Sequence, residues 1–283
     1  MKKRSAPLDS GLTLAINAAE GVLQIAFADA DGKLIYGQWV EASSRGVEIL
    51  TPSIMHALKL LERRAGDIRK IAAVSGPGSF TGLRLAATTA SGLAKASGAK
   101  QAPINYMSLL ARQCFSQAQS TGEKAILCCL MRARRDLVYA QCFIRDPDCR
   151  PPFRAVTNLA VLSVASRDAA WHILETAMEN DAARVYLAGT GAQENRDTLI
   201  PHLSVPEAPR ITILNILHPM SDTLIAAARD ASYTSEDITP LYVRASDAEE
   251  NLPQIAARLG LDPTAAVEKL HALTHTNPED TEE

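Results

Sequence analysis

The chain has 283 residues, 47% hydrophobic and 22% charged, a usage that excludes a mainly disordered state and leaves room for two cores. Its 32 acidic and 29 basic residues give a net charge of −3, which excludes a general nucleic-acid coat, since that task needs a broad positive field. With aromatics at 5%, a platform for stacking single strands is excluded as well.

The first ten residues read as a flexible leader. Met1-Lys2-Lys3-Arg4 is basic, but the apolar segment behind it, Leu12 to Ile16, is too short for a signal sequence and Glu20 soon follows. No stretch reaches the roughly 20 apolar residues of a membrane span. Leu12 to Asn17 and Val22 to Ala28 read as strands. Asp31-Gly32 is a two-residue turn signal, so Leu34 to Val40 returns as the second arm of a hairpin. From Val47 to Arg64 the pattern becomes helical, with Ile49, Leu50, Ile54, Ala57, Leu58 and Leu61 on one stripe. Ile71 to Val74 is apolar enough for a strand buried on both faces.

Ser75 to Gly82 is a glycine-rich crossing from strand to helix. Ser79 or Thr81 can supply the cap hydroxyl, and exposed amides at such a start can hold an anion. The run is not a P-loop, because no Lys-Ser or Lys-Thr follows the glycines. The helix then extends from about Gly82 to Ala96. Gly82, Ala86, Ala90 and Ala94 are four apart and form a ridge of small side chains that a second backbone can approach. Either the ridge packs on its own sheet, or it meets a partner.

The second half opens with a helix from Met107 to Ala118. Strands from Ala125 to Met131 and Leu137 to Ile144 flank a charged turn. A helix from Asp168 to Met178, a strand from Val185 to Ala188, the turn Gly189-Thr190-Gly191 and a helix from Ile216 to Ala228 follow. Asp262-Pro263 starts another helix, and the acidic end from Asn277 reads as disordered. No repeat of solenoid length is visible. The order of elements suggests α/β layers in two lobes.

The cysteines, Cys114, Cys128, Cys129, Cys142 and Cys149, contain no C-x-x-C pair and are odd in number, so reduced, mostly buried thiols in a cytoplasm are expected. His271 and His275 have a spacing that suits a divalent metal on a helix, but two ligands without a third make no site, and no metal is expected. His56, His172, His202 and His218 are scattered, with no visible partner. There is no Gly-x-Ser-x-Gly elbow, and nothing places a histidine beside Ser79.

Gly76-Pro77-Gly78-Ser79-Phe80-Thr81-Gly82-Leu83-Arg84 resembles the signature of the bacterial TsaB (YeaZ) family. Leu14-Ala15-Ile16-Asn17, Gly189-Thr190-Gly191 and Pro240-Leu241-Tyr242-Val243-Arg244 resemble further landmarks of that family. The resemblance implies an α/β, actin-like and Hsp70-like two-lobed fold of the ASKHA, ribonuclease H-like class. The expected division is a leader over 1–10, a first lobe over 11–106, a second lobe over 107–245 and a helical extension over 246–283. The helix near 216–229 is a candidate to pack back on the first lobe. The resemblance also implies a role in making the threonylcarbamoyl modification of the tRNA adenosine beside the anticodon. In that role the chain is a non-catalytic subunit that docks on its paralogue TsaD as a heterodimer and stabilises it, with the ATPase TsaE joining the pair. ATP and metal are expected on those partners, tRNA is met indirectly, and no cofactor is expected on this chain alone. The expected compartment is the cytoplasm, and a homodimer through the same helices is the arrangement expected when TsaD is absent.

The sequence departs from the family pattern in three places. Asn17 stands where relatives have an aspartate, and a neutral amide cannot supply the charge that helps hold magnesium. Arg45 stands in place of a histidine, and Arg132-Ala133-Arg134-Arg135-Asp136-Leu137 replaces an Asp-Ala-Arg-x-x-Glu pattern. Independent ATP hydrolysis is therefore not expected. Arg132, Arg134 and Arg135 are either a solvated turn or a contact for phosphate, such as that of tRNA. The expected partner contacts are Leu50, Ile54, Leu58, Leu83, Ala86 and Ala90, so that Ala86→Arg or Ala90→Arg should block pairing in a folded chain. A small-molecule kinase of the same superfamily and a diverged scaffold for another partner are the rival readings.

Overall fold

The computed structural model describes residues 11–41, 45–117, 124–134, 136–243 and 247–265. The leader, Arg135, the pair His271 and His275 and the acidic end lie outside them. Contacts divide the chain into a large unit ending at Leu241 and a second unit from Tyr242.

The large unit opens with β1 (Leu12–Asn17), β2 (Val22–Ala28) and β3 (Leu34–Glu41). β2 is buried throughout and β1 nearly so, as their unbroken apolar runs demand. β3 alternates between half-buried and exposed positions because it is the edge strand. Then come α1 (Gly46–Leu60), a 3-10 turn at Ala65–Asp67, β4 (Ile68–Gly76), α2 (Phe80–Ser97) and β5 (Lys100–Asn105). The five strands run in the order β3-β2-β1-β4-β5, with β1, β4 and β5 parallel and the hairpin strands antiparallel.

α2 begins at Ser79, whose hydroxyl accepts from the Gly82 amide, and ends at Gly98 in the left-handed region (φ 71°). A Cβ at Gly98 would meet nothing within 4 Å. Gly98→Ala should therefore cost only the left-handed backbone penalty of about 1–2 kcal/mol, read as a shift of the urea midpoint.

α3 (Tyr106–Gln117) leads to a second sheet built from β6 (Ala125–Arg134), β7 (Leu137–Arg145), β8 (Phe153–Ala155) and β9 (Ala160–Ser163). α4 (Asp168–Glu179), β10 (Arg184–Ala188), α5 (Thr190–Glu194), α6 (Arg196–Leu203) and β11 (Arg210–Ile213) complete it. The order is β11-β10-β6-β7-β8, and β9 also pairs with β7. β6 pairs antiparallel with β7 and parallel with β10, and β11 runs parallel to β10. This is the plan of the first sheet repeated: a central strand, a hairpin on one side and two parallel strands on the other. The expected α/β class with two sheet-bearing lobes is therefore the architecture of the chain, and the duplication is one of topology, invisible as a sequence repeat.

Each sheet has its own core. Leu14, Ile16, Phe27, Leu50, Ile54 and Ile71 belong to the first, where α1 and α2 cover one face. Leu130, Val138, Ile173, Val185, Leu187 and Leu199 belong to the second, under α4 and α6. α7 (Ser221–Asp230) packs on β1, β2 and β3. It starts later than the expected Ile216. Proline cannot donate inside a helix, and the carbonyl of Pro219 is taken by the buried Gln24 side chain (2.7 Å). Gln113 of α3 fixes the new start, its Oε1 accepting from the Met220 amide (2.8 Å) and the Thr223 hydroxyl (2.6 Å).

The cysteines depart from the expectation of free thiols. Register sets Cys128 opposite Cys142 on β6 and β7, and the two are joined in a disulfide, a bond uncommon in reducing compartments. Cys114, Cys129 and Cys149 are free, and burial, with Cys114 beside it, pushes the Cys129 thiol well up.

The second unit carries α8 (Asp247–Arg258). Beyond it, the Asp262 carboxylate accepts from the Thr264 amide at 2.9 Å, the helix start that Asp262-Pro263 announces. Ile255, Leu259 and Leu261 are exposed. No helix among the described residues is long and apolar enough to cross a membrane.

Candidate functional site

The glycine-rich run closes against the chain itself. Gly76 (φ 141°) lies on the backbone of Leu241, whose amide donates to the Ser75 carbonyl at 2.6 Å. A Cβ at Gly76 would stand 2.6 Å from the Leu241 carbonyl oxygen, and one at Gly78 would stand 2.6 Å from that of Ala19. A Cβ at Gly82 would run into the carbonyl oxygen of Ala18. These glycines let the start of α2 lie flat on the turn that joins β1 to β2. The Ser79 amide donates to Ala19, the Gly82 amide to Ser79 Oγ and the Leu83 amide to the Ser79 carbonyl. Three amides at this helix start, those of Ser79, Gly82 and Leu83, are thus engaged within the protein. Arg84 stacks over the Phe80 ring, its guanidinium carbon 4.2 Å from the centroid. Pro77 follows a cis bond, and Thr81 is exposed at the helix start.

The six expected partner contacts need correction. Leu50, Ile54, Leu58, Leu83, Ala86 and Ala90 are each at most 2% exposed. All but Leu83 belong to the single core cluster beneath α1 and α2. The apolar stripe of a surface helix is the face it buries at home, and the alanine ridge lets α2 sit close on β4, with which it makes extensive contact. The ridge is therefore filled by the chain's own sheet. The outward side of α1 carries different apolar residues, Val47 (68% exposed), Met55 (56%) and Leu60 (60%). Val47, with Gly46, Leu85, Thr81 and the turn residues Ala18 and Gly21, lines an open pocket of ≈ 80 Å³.

At the end of β1, Asn17 is 2% exposed. Its Nδ2 donates to Gln24 Oε1 (2.7 Å) and its Oδ1 accepts from the Ala19 amide (3.1 Å). Both ends of this neutral amide brace the turn. Beside it lies a cluster that sequence reasoning missed: Glu20 accepts from the hydroxyls of Tyr106 and Thr190, and His218 stands next to both Glu20 and Tyr106. His218 was expected to lack a partner. Burial, with the carboxylate next to it, pushes the Tyr106 phenol well above its ordinary value.

Arg132 pairs with Glu194 (3.6 Å) and its amide donates to Thr190 Oγ1 (3.0 Å). Arg134 ends β6, and Arg135 lies outside the described residues. Arg45 is exposed and pairs with Glu48 at 3.0 Å. His172 Nε2 and His202 Nδ1 are buried without a hydrogen-bond partner. No group of three or more His, Cys, Asp or Glu suited to a metal occurs among the described residues.

Residues 40–145 match the family model of TsaD, the tRNA N6-adenosine threonylcarbamoyltransferase. Two solved structures from Pseudomonas aeruginosa share the fold. An uncharacterised protein described as similar to peptidase YeaZ aligns with TM-score 0.63 and 21% identity over 83% of this chain and 100% of its own. YeaZ itself aligns with TM-score 0.62 and 20% identity over 82% of this chain and 100% of its own. No curated protein matches the chain in sequence. The family match thus covers the segment that holds α1, the glycine-rich turn and α2, and the two structures share the fold.

Proposed function

We propose that this chain is a non-catalytic subunit of the tRNA threonylcarbamoyl-transferring machinery, docking on a TsaD-type partner and stabilising it. The observation that carries the reading is the TsaD family match over 40–145, which contains α1, the glycine-rich turn and α2. Its support at the level of chemistry is Asn17, which puts a neutral amide, hydrogen-bonded at both ends, where an acid would be needed to hold magnesium. ATP, metal and the transfer itself then belong to the partners, TsaD and the ATPase TsaE.

Docking in this reading uses the outer side of α1, where Val47, Met55 and Leu60 stand in solvent, and not the buried ridge. Exposed apolar residues of this kind anchor interfaces when they fill a partner's pockets. The test is co-purification of the full chain with TsaD from its own host. The double substitution Val47→Asp, Met55→Arg should weaken pairing by about tenfold or more while the melting temperature of the lone chain stays put. Undiminished co-purification would remove this face from the reading, and failure of the unaltered chain to capture TsaD would remove the reading itself.

A further inference from the structure

Glu20 sits on the four-residue turn between β1 and β2, in the first half of the large unit, yet its side chain is only 5% exposed. It reaches across to the second half. Oε1 accepts from the hydroxyl of Thr190, the first residue of α5. Oε2 accepts from the Tyr106 hydroxyl at 2.6 Å, at the start of α3. His218 Nδ1 lies 3.5 Å from the same oxygen and 3.3 Å from the Tyr106 oxygen. The Thr190 hydroxyl in turn accepts the amide proton of Arg132 on β6. One buried carboxylate therefore ties the turn after the first sheet's central strand to the end of the second sheet's central strand, β6, through charge-assisted bonds, the strong kind. The same turn supplies the Ala18 and Ala19 carbonyls against which Gly82 and Gly78 lie.

We propose that Glu20 is a latch between the two sheet-bearing halves, and that its bonds to Thr190 and Tyr106, with His218 beside them, set how firmly those halves are held together. The latch is independent of which partner the outer face of α1 meets. Two lines of geometry carry it. The carboxylate is buried, and its hydroxyl donors come from two separate segments, α3 and α5, with His218 of a third beside them.

Hydrogen exchange of the full chain, followed by mass spectrometry, tests it. Glu20→Ala should speed exchange by about tenfold in peptides covering 17–24, 105–111, 188–193 and 216–220, with α1 and α4 unchanged. Tyr106→Phe removes one hydroxyl while keeping the ring, and should give a smaller rise, about threefold, confined to the same segments. This second variant decides the matter if the first does not fold. Exchange unchanged in those segments would overturn the proposal. So would a rise spread evenly over the whole chain, which would make Glu20 an ordinary stability contact.

Discussion

Ala90→Arg is expected to leave the first half of the large unit unfolded, and not merely unpaired. Ala90 has no accessible surface and lies in the core shared by α1, α2 and the first sheet. A guanidinium stays charged at any working pH. Placed there it would be an unpaired buried charge, a change that costs about 3–5 kcal/mol or more. A domain's total stability is only about 5–15 kcal/mol. Urea unfolding followed by circular dichroism should show the midpoint collapse, or no folded baseline at all. Met55→Arg on the solvent side of α1 is the control and should move stability by no more than about 0.5 kcal/mol. If the Ala90 variant kept the wild-type midpoint, the ridge would have to be open to solvent, and the account of the core would be wrong.

The second large effect concerns Gly82. On helix propensity alone, Gly→Ala inside a helix gains up to about 1 kcal/mol. Gly92, also in α2, has open space where a Cβ would go, and Gly92→Ala should show that gain, about 0.5–1 kcal/mol. At Gly82 the added methyl meets the Ala18 carbonyl oxygen, a backbone atom that cannot swing aside. Gly82→Ala should therefore lose about 2–3 kcal/mol through overpacking, opposite in sign to Gly92 nearly three turns on. Paired urea curves for the two variants read this directly. Two gains of equal size would mean that the turn after β1 does not press on α2.

These two cases also show what the sequence makes legible. The spacing of Gly82, Ala86, Ala90 and Ala94 reveals that something approaches α2 closely. It does not reveal what approaches, because a helix repeat carries no information about the element on the other side. Here the visitor is the chain's own sheet and its first turn. The hairpin at Asp31-Gly32 was readable because its cause is local, Gly32 taking φ 77° with its amide returning to the Asp29 carbonyl, although the connection spans residues 29–33 and not the two residues expected. β8, β9 and β11, of three or four residues each, leave no period long enough to read. The pairing of Cys128 with Cys142 follows from strand register, which spacing alone does not give. The Glu20 cluster was hidden for the same kind of reason. Its partners Tyr106 and Thr190 lie 86 and 170 residues away, and each of these residue types is ordinary in isolation. The family signature was the exception, since its glycines answer to close backbone contacts that tolerate no substitute.

The position of α7 has a consequence for how the protein is made. The helix that packs on β1, β2 and β3 is written near residue 225, long after those strands have left the ribosome. Until Ser221–Asp230 is synthesised, the surface those strands reserve for it, with Gln24 waiting for the Pro219 carbonyl, stays bare to solvent. The nascent first sheet must therefore persist half-clothed while the whole second sheet is translated, and the chain becomes a finished object only near its end.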